Sequence, residues 1–163
     1  MASLDDQIQE YQLQLRKGNI QKAYRGIMAF MSSLKSDLKK AYPDYFTSTL
    51  YFGYMDMTYF AFTPPQLKDK KLKIAIVYLH EEARFEAWLR GNNRKIQAET
   101  VSLLENQNLG NYKLSQVQLG VDSIIESILV LQPNFDMLNS LKEQIEEKTI
   151  AFINDMIAIL AEC

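Results

Sequence analysis

An aromatic-rich segment followed by a mainly apolar run of eight residues sets the centre of the expected fold. Nine of the 18 aromatic side chains lie within residues 42–62, and aromatic residues together with threonine favour β-strands. After Pro64 and Pro65 comes a lysine-rich connection, and residues 72–79 then read LKIAIVYL, which is typical of a buried strand. We therefore expect strands over about 54–63 and 72–79 that pair as an antiparallel hairpin.

Helical periodicity precedes this hairpin. Ser3 and Asp6 form a capping-box pattern ahead of an apolar stripe, and Gly18 is a typical C-terminal stop. The stripe consists of Leu4, Ile8, Tyr11 and Leu15. These signals predict helices over about 3–17 and 20–41, joined as an antiparallel helical hairpin.

Two segments after the strands also favour helix. HEEARFEAWLRG and NNRKIQAETVSLLEN, residues 80–91 and 92–106, contain mainly helix-forming residues. Gly91 either separates two helices or only interrupts one, and the sequence leaves both alternatives open. Residues 106–120 are polar and contain glycine, so we expect mostly loop there.

The C-terminal part holds one ambiguous segment and one clear helix. Residues 123–131 form a short apolar run whose period fits strand or helix, and we prefer a third strand. After Pro133 the apolar spacing predicts a helix that starts between residues 135 and 141. The inward positions of this helix are expected to be Leu138, Leu141, Ile145, Phe152, Met156 and Leu160.

Together these elements predict an α+β fold. A length of 163 residues is close to that of one domain of about 150 residues, so we treat residues 1–163 as a single domain. We expect an N-terminal helical hairpin, a small antiparallel sheet of two to four strands with the aromatic-rich hairpin, and C-terminal helices packed on the sheet.

Charge and cysteine content limit the classes of partner and the compartment. The net charge of −2 gives no electrostatic footprint for nonspecific nucleic-acid binding. The single cysteine, Cys163, cannot form an internal disulfide, which fits a reducing compartment. We find neither a signal peptide nor an apolar run of about 20 residues. We therefore expect a cytoplasmic protein that does not cross a membrane.

Catalytic and cofactor motifs are missing from the sequence. It contains no phosphate-binding glycine loop, no GxSxG, no CxxC and no HExxH. With one histidine and one terminal cysteine, a zinc site of the usual kind lacks ligands. We predict no cofactor and no bound metal, and the sequence leaves only an all-carboxylate metal site open.

One acidic residue stands out within the aromatic segment. Asp56 is the only charged residue between Tyr45 and Leu67, and aspartate is disfavoured in strands. If the hairpin is symmetric about Leu67, Asp56 lies opposite Tyr78. The same register places Tyr54 opposite His80. The expected result is a pocket with a carboxylate, two phenols and an imidazole.

Two nearby residues extend this candidate pocket. On a helix over 80–91, Arg84 lies one turn from Trp88 and can stack on its ring. The ligand-binding candidates are therefore Tyr54, Asp56, Tyr78, His80, Arg84 and Trp88, with Asp56 and His80 as the catalytic candidates. The alternative is a structural network that satisfies a half-buried Asp56, with Trp88 in the core.

Arg94 and Lys95 suggest a separate anion site. If Gly91 ends one element and Asn92 or Asn93 caps the next helix, these two cations occupy a first turn. The helix dipole disfavours positive charge there unless an anion is bound. A continuous helix through Gly91 would contain no such first turn.

Three stretches resemble a family of small uncharacterised bacterial proteins. They are GNIQKAYRGIMAFM, LYFGYMDMTYFAFTP and LKIAIVYLHEEARFEAWLRGNNRKIQ, and the likeness covers nearly the whole chain. The resemblance implies a stand-alone bacterial cytosolic domain and supplies no catalytic residues.

The functional expectation is a small cytosolic ligand-binding or interaction domain with a polar and aromatic pocket. The alternative is a small acid/base enzyme, hydrolase-like or transferase-like, that uses Asp56 and His80. The expected partner is a small molecule or a protein. The sequence leaves the oligomeric state open, a homodimer included.

Overall fold

A computed structural model describes all 163 residues of the chain. The helices are α1 (Leu4–Lys17), α2 (Asn19–Ala41), α3 (Pro65–Lys68), α4 (Arg94–Leu104) and α5 (Leu138–Ala161). The strands are β1 (Phe46–Thr47), β2 (Met57–Thr63), β3 (Leu72–Leu79), β4 (Arg84–Gly91) and β5 (Ile125–Val130). They form one sheet in the order β1-β2-β3-β4-β5, and each strand is antiparallel to its neighbours. The predicted α+β class is confirmed, with five strands instead of two to four.

Helices cover one face of the sheet, which we call the inner face. Alternate residues of β2, β3 and β4 point to it because side chains of a strand alternate between faces. Their apolar side chains join those of α2, α3, α4 and α5 in a cluster of 25 buried residues. This cluster is the hydrophobic core of the protein.

The opposite, outer face has no helix in its buried cluster. Ala75, Val77 and Trp88 are buried there, and Met57, Tyr59 and Leu79 pack against them. All six residues belong to β2, β3 or β4. Long side chains of the sheet itself therefore cover the small residues at its centre.

The helix predicted over residues 80–91 is wrong. Residues 80–83 form a tight turn in which Ala83 has a positive φ of 53°, and residues 84–91 are strand β4. Phe85, Ala87 and Leu89 face the core, while Glu86 and Trp88 face outward. This is the period of two that a strand requires. Favourable pairing with β3 and β5 overrode the helix propensity of glutamate, alanine and leucine.

The hairpin of β2 and β3 is confirmed, but its register differs from the expected one. Thr58 pairs with Tyr78, and Met57 pairs with Leu79. The hairpin is therefore centred on residue 68 and not on Leu67. The connection between the two strands contains the short helix α3. A shift of two residues keeps each side chain on its predicted face. The expected pairs of Asp56 with Tyr78 and of Tyr54 with His80 are wrong.

The two N-terminal helices are present close to the predicted ranges. Ser3 and Asp6 make the capping box, and Gly18, with a φ of 78°, ends α1. Gly18 is the only residue between α1 and α2. No residue of α1 is buried, although α2 contributes four buried side chains to the core.

The C-terminal elements agree with the preferred alternatives. Residues 125–130 are strand β5, and α5 begins at Leu138 within the predicted range. Gly91 ends a strand, so the continuous helix through it is wrong. Five of the six positions expected to be inward in α5 are buried, whereas Leu138 is 46% exposed.

Candidate functional site

The end of β3 brings an imidazole to the rim of the inner face. His80 follows β3 directly and shares the face of Tyr78, two residues earlier. Its Nε2 lies 2.8 Å from Oγ1 of Thr58, and that hydroxyl donates to the carbonyl of Phe52 at 3.0 Å. Because the Thr58 hydroxyl has a single proton, Nε2 of His80 must be the donor to Thr58. Nδ1 of His80 is then an acceptor.

This acceptor nitrogen is open to a further partner. Nδ1 of His80 makes no hydrogen bond within the protein, and it is not among the buried atoms that lack a partner. The ring stacks on Tyr24, with centroids 6.0 Å apart and planes inclined by 22°. Burial lowers the pKa of His80 below 6.5, and the charge of Asp56 opposes this shift. The neutral ring is therefore favoured.

Asp56 holds a turn instead of lining a pocket. Its carbonyl accepts from the backbone N–H of His80 at 3.0 Å, and its carboxylate accepts from that of Tyr54 at 3.0 Å. Hydrogen bonding from the backbone N–H groups of Met57 and Tyr54 lowers the pKa of the Asp56 carboxyl below 3.8. The exposed carboxylate thus stabilises the turn that precedes β2, and Asp56 is not the half-buried residue that the structural alternative assumed.

The same turn requires glycine at position 53. Gly53 has a φ of 71°, and a Cβ there would lie 2.1 Å from the carbonyl oxygen of Met57. No L-residue fits this approach without a backbone shift. This tight turn lies outside strand β2, and Tyr54 within it is 94% exposed.

Tyr78 opens onto a cleft that the sequence did not reveal. The cleft has a volume of about 400 Å³ and lies between α2, β3 and the segment before α5. It is lined by Ala23, Gly26, Ile27, Tyr78, Phe135 and Leu138. Five of these six residues are hydrophobic, so an apolar guest suits the cleft.

Tyr78 is the only residue of this lining whose side chain carries a polar atom. Tyr78 is only 4% exposed, yet its hydroxyl has no hydrogen-bond partner in the protein and is not a fully buried atom. Burial raises the pKa of Tyr78, so the phenol stays protonated and able to donate. Its ring meets the ring of His80 edge-on, with centroids 5.1 Å apart.

Arg84 and Trp88 lie on the other face of the sheet. Both bind Glu86, whose carboxylate accepts from Nε of Arg84 at 2.6 Å and from Nε1 of Trp88 at 2.8 Å. Glu86 is 2% exposed and Trp88 is 8% exposed. The six predicted ligand-binding residues are thus divided: Tyr78 and His80 stay together, Asp56 and Tyr54 form a turn, and Arg84 and Trp88 belong to the outer face.

The first turn of α4 contains the predicted cations, Arg94 and Lys95. Asn93 caps α4 and accepts from the backbone N–H of Ile96 at 2.9 Å, which confirms the expected helix start. The guanidinium of Arg94, however, donates to the carbonyl of Val121 at 2.6 Å and to Asp122 at 3.1 Å. Arg94 therefore already binds acceptors of this chain, and an anion would compete with them.

The sequence held weak signals for the residues that were missed. Ala23 and Gly26 are three positions apart on α2, and two small residues on one helix face leave space above a sheet. Phe135 lies in the segment before α5, and only the folded chain brings its ring to Tyr78, at a centroid distance of 5.9 Å. No local sequence pattern predicts such a contact.

Two classes of feature are not found in the structure. Nowhere do three or more histidine, cysteine, aspartate or glutamate side chains gather as a potential metal site. None of the helices combines the length and the apolar character needed to traverse a bilayer.

Comparison with known proteins identifies a family. The family model described as "Domain of unknown function (DUF7000)" matches residues 4–160. No curated protein and no solved structure matches the chain. The resemblance to a family of unknown function is confirmed, while the bacterial origin that it implied stays a prediction.

Proposed function

The chain belongs to the DUF7000 family, and we propose that it is a ligand-binding domain whose site is the cleft beside Tyr78. One observation carries the proposal. A tyrosine that is 4% exposed keeps its hydroxyl free of protein partners at the wall of an apolar cleft of about 400 Å³. The hydroxyl is not fully buried, so water can reach it in the free protein, and an acceptor group of a ligand would replace that water.

The chemistry of the cleft defines the class of ligand. Aliphatic and aromatic side chains line most of its surface, and the volume falls within the range of about 300–1,000 Å³ typical of small-molecule sites. The raised pKa of Tyr78 keeps its hydroxyl a hydrogen-bond donor. The proposed ligand is a small, mainly apolar molecule with one acceptor group, such as a carbonyl or a carboxylate.

His80 would contribute a second polar contact at the rim. Its ring touches that of Tyr78, and its Nδ1 is an unpartnered acceptor. A ligand with a donor next to its acceptor would satisfy both side chains at once. The stacking of His80 on Tyr24 and its bond to Thr58 hold the ring in place for this contact.

The acid/base enzyme is the second candidate function. It is favoured by the free Nδ1 of His80, whose lowered pKa suits a general base. The proposed partner, Asp56, contributes less to such a reaction because its carboxylate binds backbone N–H groups and stays ionised. We therefore rank binding above catalysis. We also propose a cytoplasmic location, because the single cysteine is free.

A fragment screen by thermal shift tests the proposal. Ligands that bind the folded state raise the melting temperature by mass action. We expect hits among small aromatic acids and ketones. Gly26→Leu should abolish their effect, because a side chain at Gly26 projects into open space in the cleft wall. Hits that bind this variant as well as the wild type would contradict the proposed site.

Matched variants separate the roles of the polar groups. Tyr78→Phe removes only the hydroxyl and should weaken binding by about tenfold or more, which corresponds to a lost hydrogen bond. Tyr59→Phe makes the same change on the outer face and should leave affinity unchanged. If Asp56→Asn abolishes binding in a folded protein while Tyr78→Phe does not, the site lies at the turn and the enzyme becomes the better candidate.

A further inference from the structure

Helix α1 presents an apolar stripe of which only the last residue, Leu15, is partly covered by the rest of the chain. Leu4 is 71% exposed, Ile8 44% and Tyr11 61%, and no residue of α1 is buried. A helix of 14 residues is only marginally stable alone in water. Most helices gain their stability by packing such a stripe against another surface.

The spacing of the stripe suits a second helix. Leu4, Ile8, Tyr11 and Leu15 follow one another in steps of four, three and four residues, which is the pattern of a coiled-coil seam. Leu13 is also exposed, but it lies on the opposite side of α1, about 180° from Leu4. The four stripe residues therefore form a narrow line along one side of the helix.

The charges of α1 are complementary to those of an antiparallel copy. The first turn holds Asp5 and Asp6, and the last turn holds Arg16 and Lys17. Asp5 and Arg16 lie about three turns apart on the same side of the stripe. When two copies of α1 run antiparallel, the acidic end of each meets the basic end of the other.

A groove at the C-terminal end of the stripe adds an apolar site that can receive a side chain of the second copy. It has a volume of about 340 Å³, and its apolar lining residues are Tyr11, Leu15, Ile20, Tyr24 and Met55. Two antiparallel stripes centred between Ile8 and Tyr11 bring Leu4 of one copy to Leu15 of the other. Each Leu4 then enters the groove of the opposite copy.

We propose that α1 is the interface of a homodimer, in which two copies of the chain pair their stripes in antiparallel orientation about a twofold axis. The interface is isologous, so each residue contact occurs twice. The self-complementary charge pattern selects a second copy of this chain as the occupant. The dimer does not depend on the ligand cleft, which lies elsewhere on α2.

Sedimentation of the full chain over a range of concentrations tests the stripe. We expect a species of twice the chain mass, and Ile8→Glu should raise its dissociation constant by at least about tenfold, since a charge at a buried interface centre is costly. Leu13→Glu is the matched control on the opposite side of α1 and should change the constant by less than about twofold. A monomer at every concentration, or a dimer that Ile8→Glu leaves intact, would overturn the proposal.

A charge exchange tests the antiparallel orientation. Asp5→Arg and Arg16→Glu should each weaken self-association, because each places like charges opposite one another. An equimolar mixture of the two variants should form a heterodimer with affinity near that of the wild type. A mixture that stays monomeric while the wild type dimerises would overturn the antiparallel arrangement.

Urea melts and vesicle flotation distinguish a lost dimer interface from unfolding and from lipid binding. At a protein concentration below the dimer dissociation constant, where association does not add to stability, the stripe variants should unfold at the same urea concentration as the wild type if α1 is peripheral to the core. Flotation with vesicles of phosphatidylcholine and phosphatidylglycerol should leave the protein in the bottom fraction. A monomer that floats by means of the stripe would assign α1 to a lipid surface and overturn the dimer.

Discussion

The two faces of the sheet are stabilised in different ways. On the inner face, apolar side chains of the strands and of four helices form a cluster of 25 buried residues. On the outer face, only three buried residues form the apolar cluster, and a buried glutamate binds one of them, Trp88, and an arginine. On the inner face, a layer of helices packed on the sheet excludes water. On the outer face, only the side chains of the sheet itself exclude it.

This difference shows how a sheet face that no helix covers can still exclude water from its central residues. Trp88 and Tyr59 extend over the small side chains Ala75 and Val77, and the guanidinium of Arg90 lies 5.3 Å from the centroid of the Tyr59 ring. Glu86 orients Trp88 through the indole N–H. Specific polar bonds therefore replace helix packing, and the two faces should respond differently to substitution.

The largest expected effect is on the inner face. Phe152 is 1% exposed and meets the ring of Tyr112 edge-on. Phe152→Ala should lower the free energy of unfolding by about 3–5 kcal/mol, because it removes a buried aromatic ring and leaves a cavity. Ile128→Ala is the outer-face control, and since Ile128 is 48% exposed, its cost should be under about 1 kcal/mol. Equal losses in urea melts would erase the contrast between the faces.

A smaller effect is expected from the polar bonds of the outer face. Arg84→Met removes the ion-pair partner of Glu86, whose side chain is 3% exposed. The cost should be about 1–3 kcal/mol, below that of a fully buried pair, because the Arg84 side chain is 32% exposed. Trp88 would still bind Glu86 on the other carboxylate oxygen.

A double-mutant cycle isolates this pair from other effects. In a Glu86→Gln background the carboxylate charge is gone, so Arg84→Met should cost less there than in the wild type. Urea melts of the four proteins give the coupling free energy. A coupling close to zero would mean that solvent screens the pair and that packing alone stabilises the outer face.

The inner face was largely predictable from sequence, and the outer face was not. Alternating apolar residues of β2 and β3 identify their buried side, and even a register error of two residues left each side chain on the correct face. Strand β4 was missed because RFEAWLRG contains good helix formers. Its alternation of polar and apolar residues was visible, but Trp88 at an outward position weakened it.

The candidate site was predictable only where strand periodicity alone determines which residues are neighbours. Tyr78 and His80 share a strand face, so their proximity follows from period two alone. The cleft depends on Phe135 and on a gap beside Gly26, which arise from contacts distant in sequence. Asp56 was correctly noticed as unusual, but an aspartate that caps a turn and one that lines a pocket share the same local sequence signal.

The space beside Gly26 predicts a substitution that raises the free energy of unfolding instead of lowering it. A Cβ at Gly26 would meet no atom within 4 Å, and glycine inside a helix is less favourable than alanine by about 0.5–1 kcal/mol. Gly26→Ala should therefore raise the free energy of unfolding by about this amount, measured in urea melts. Destabilisation would show that the inner face is closed at this point and that the cleft does not exist in solution.

The smallest expected effect is a pH dependence at the rim of the inner face. His80 is the only histidine, and burial lowers its pKa in the folded state below the ordinary value of 6.5. The unfolded chain then takes up the proton at a higher pH than the folded one, so stability declines as the pH falls below 6.5 and levels off below the folded pKa. The proton would bind Nδ1, since Nε2 already donates to Thr58.

Urea melts at about pH 7.5 and pH 5.5 should show this decline in the wild type and a weaker one in His80→Gln. A pKa above 6.5 in an NMR titration of the imidazole would reverse the sign, and it would mean that attraction to Asp56 outweighs burial at the rim.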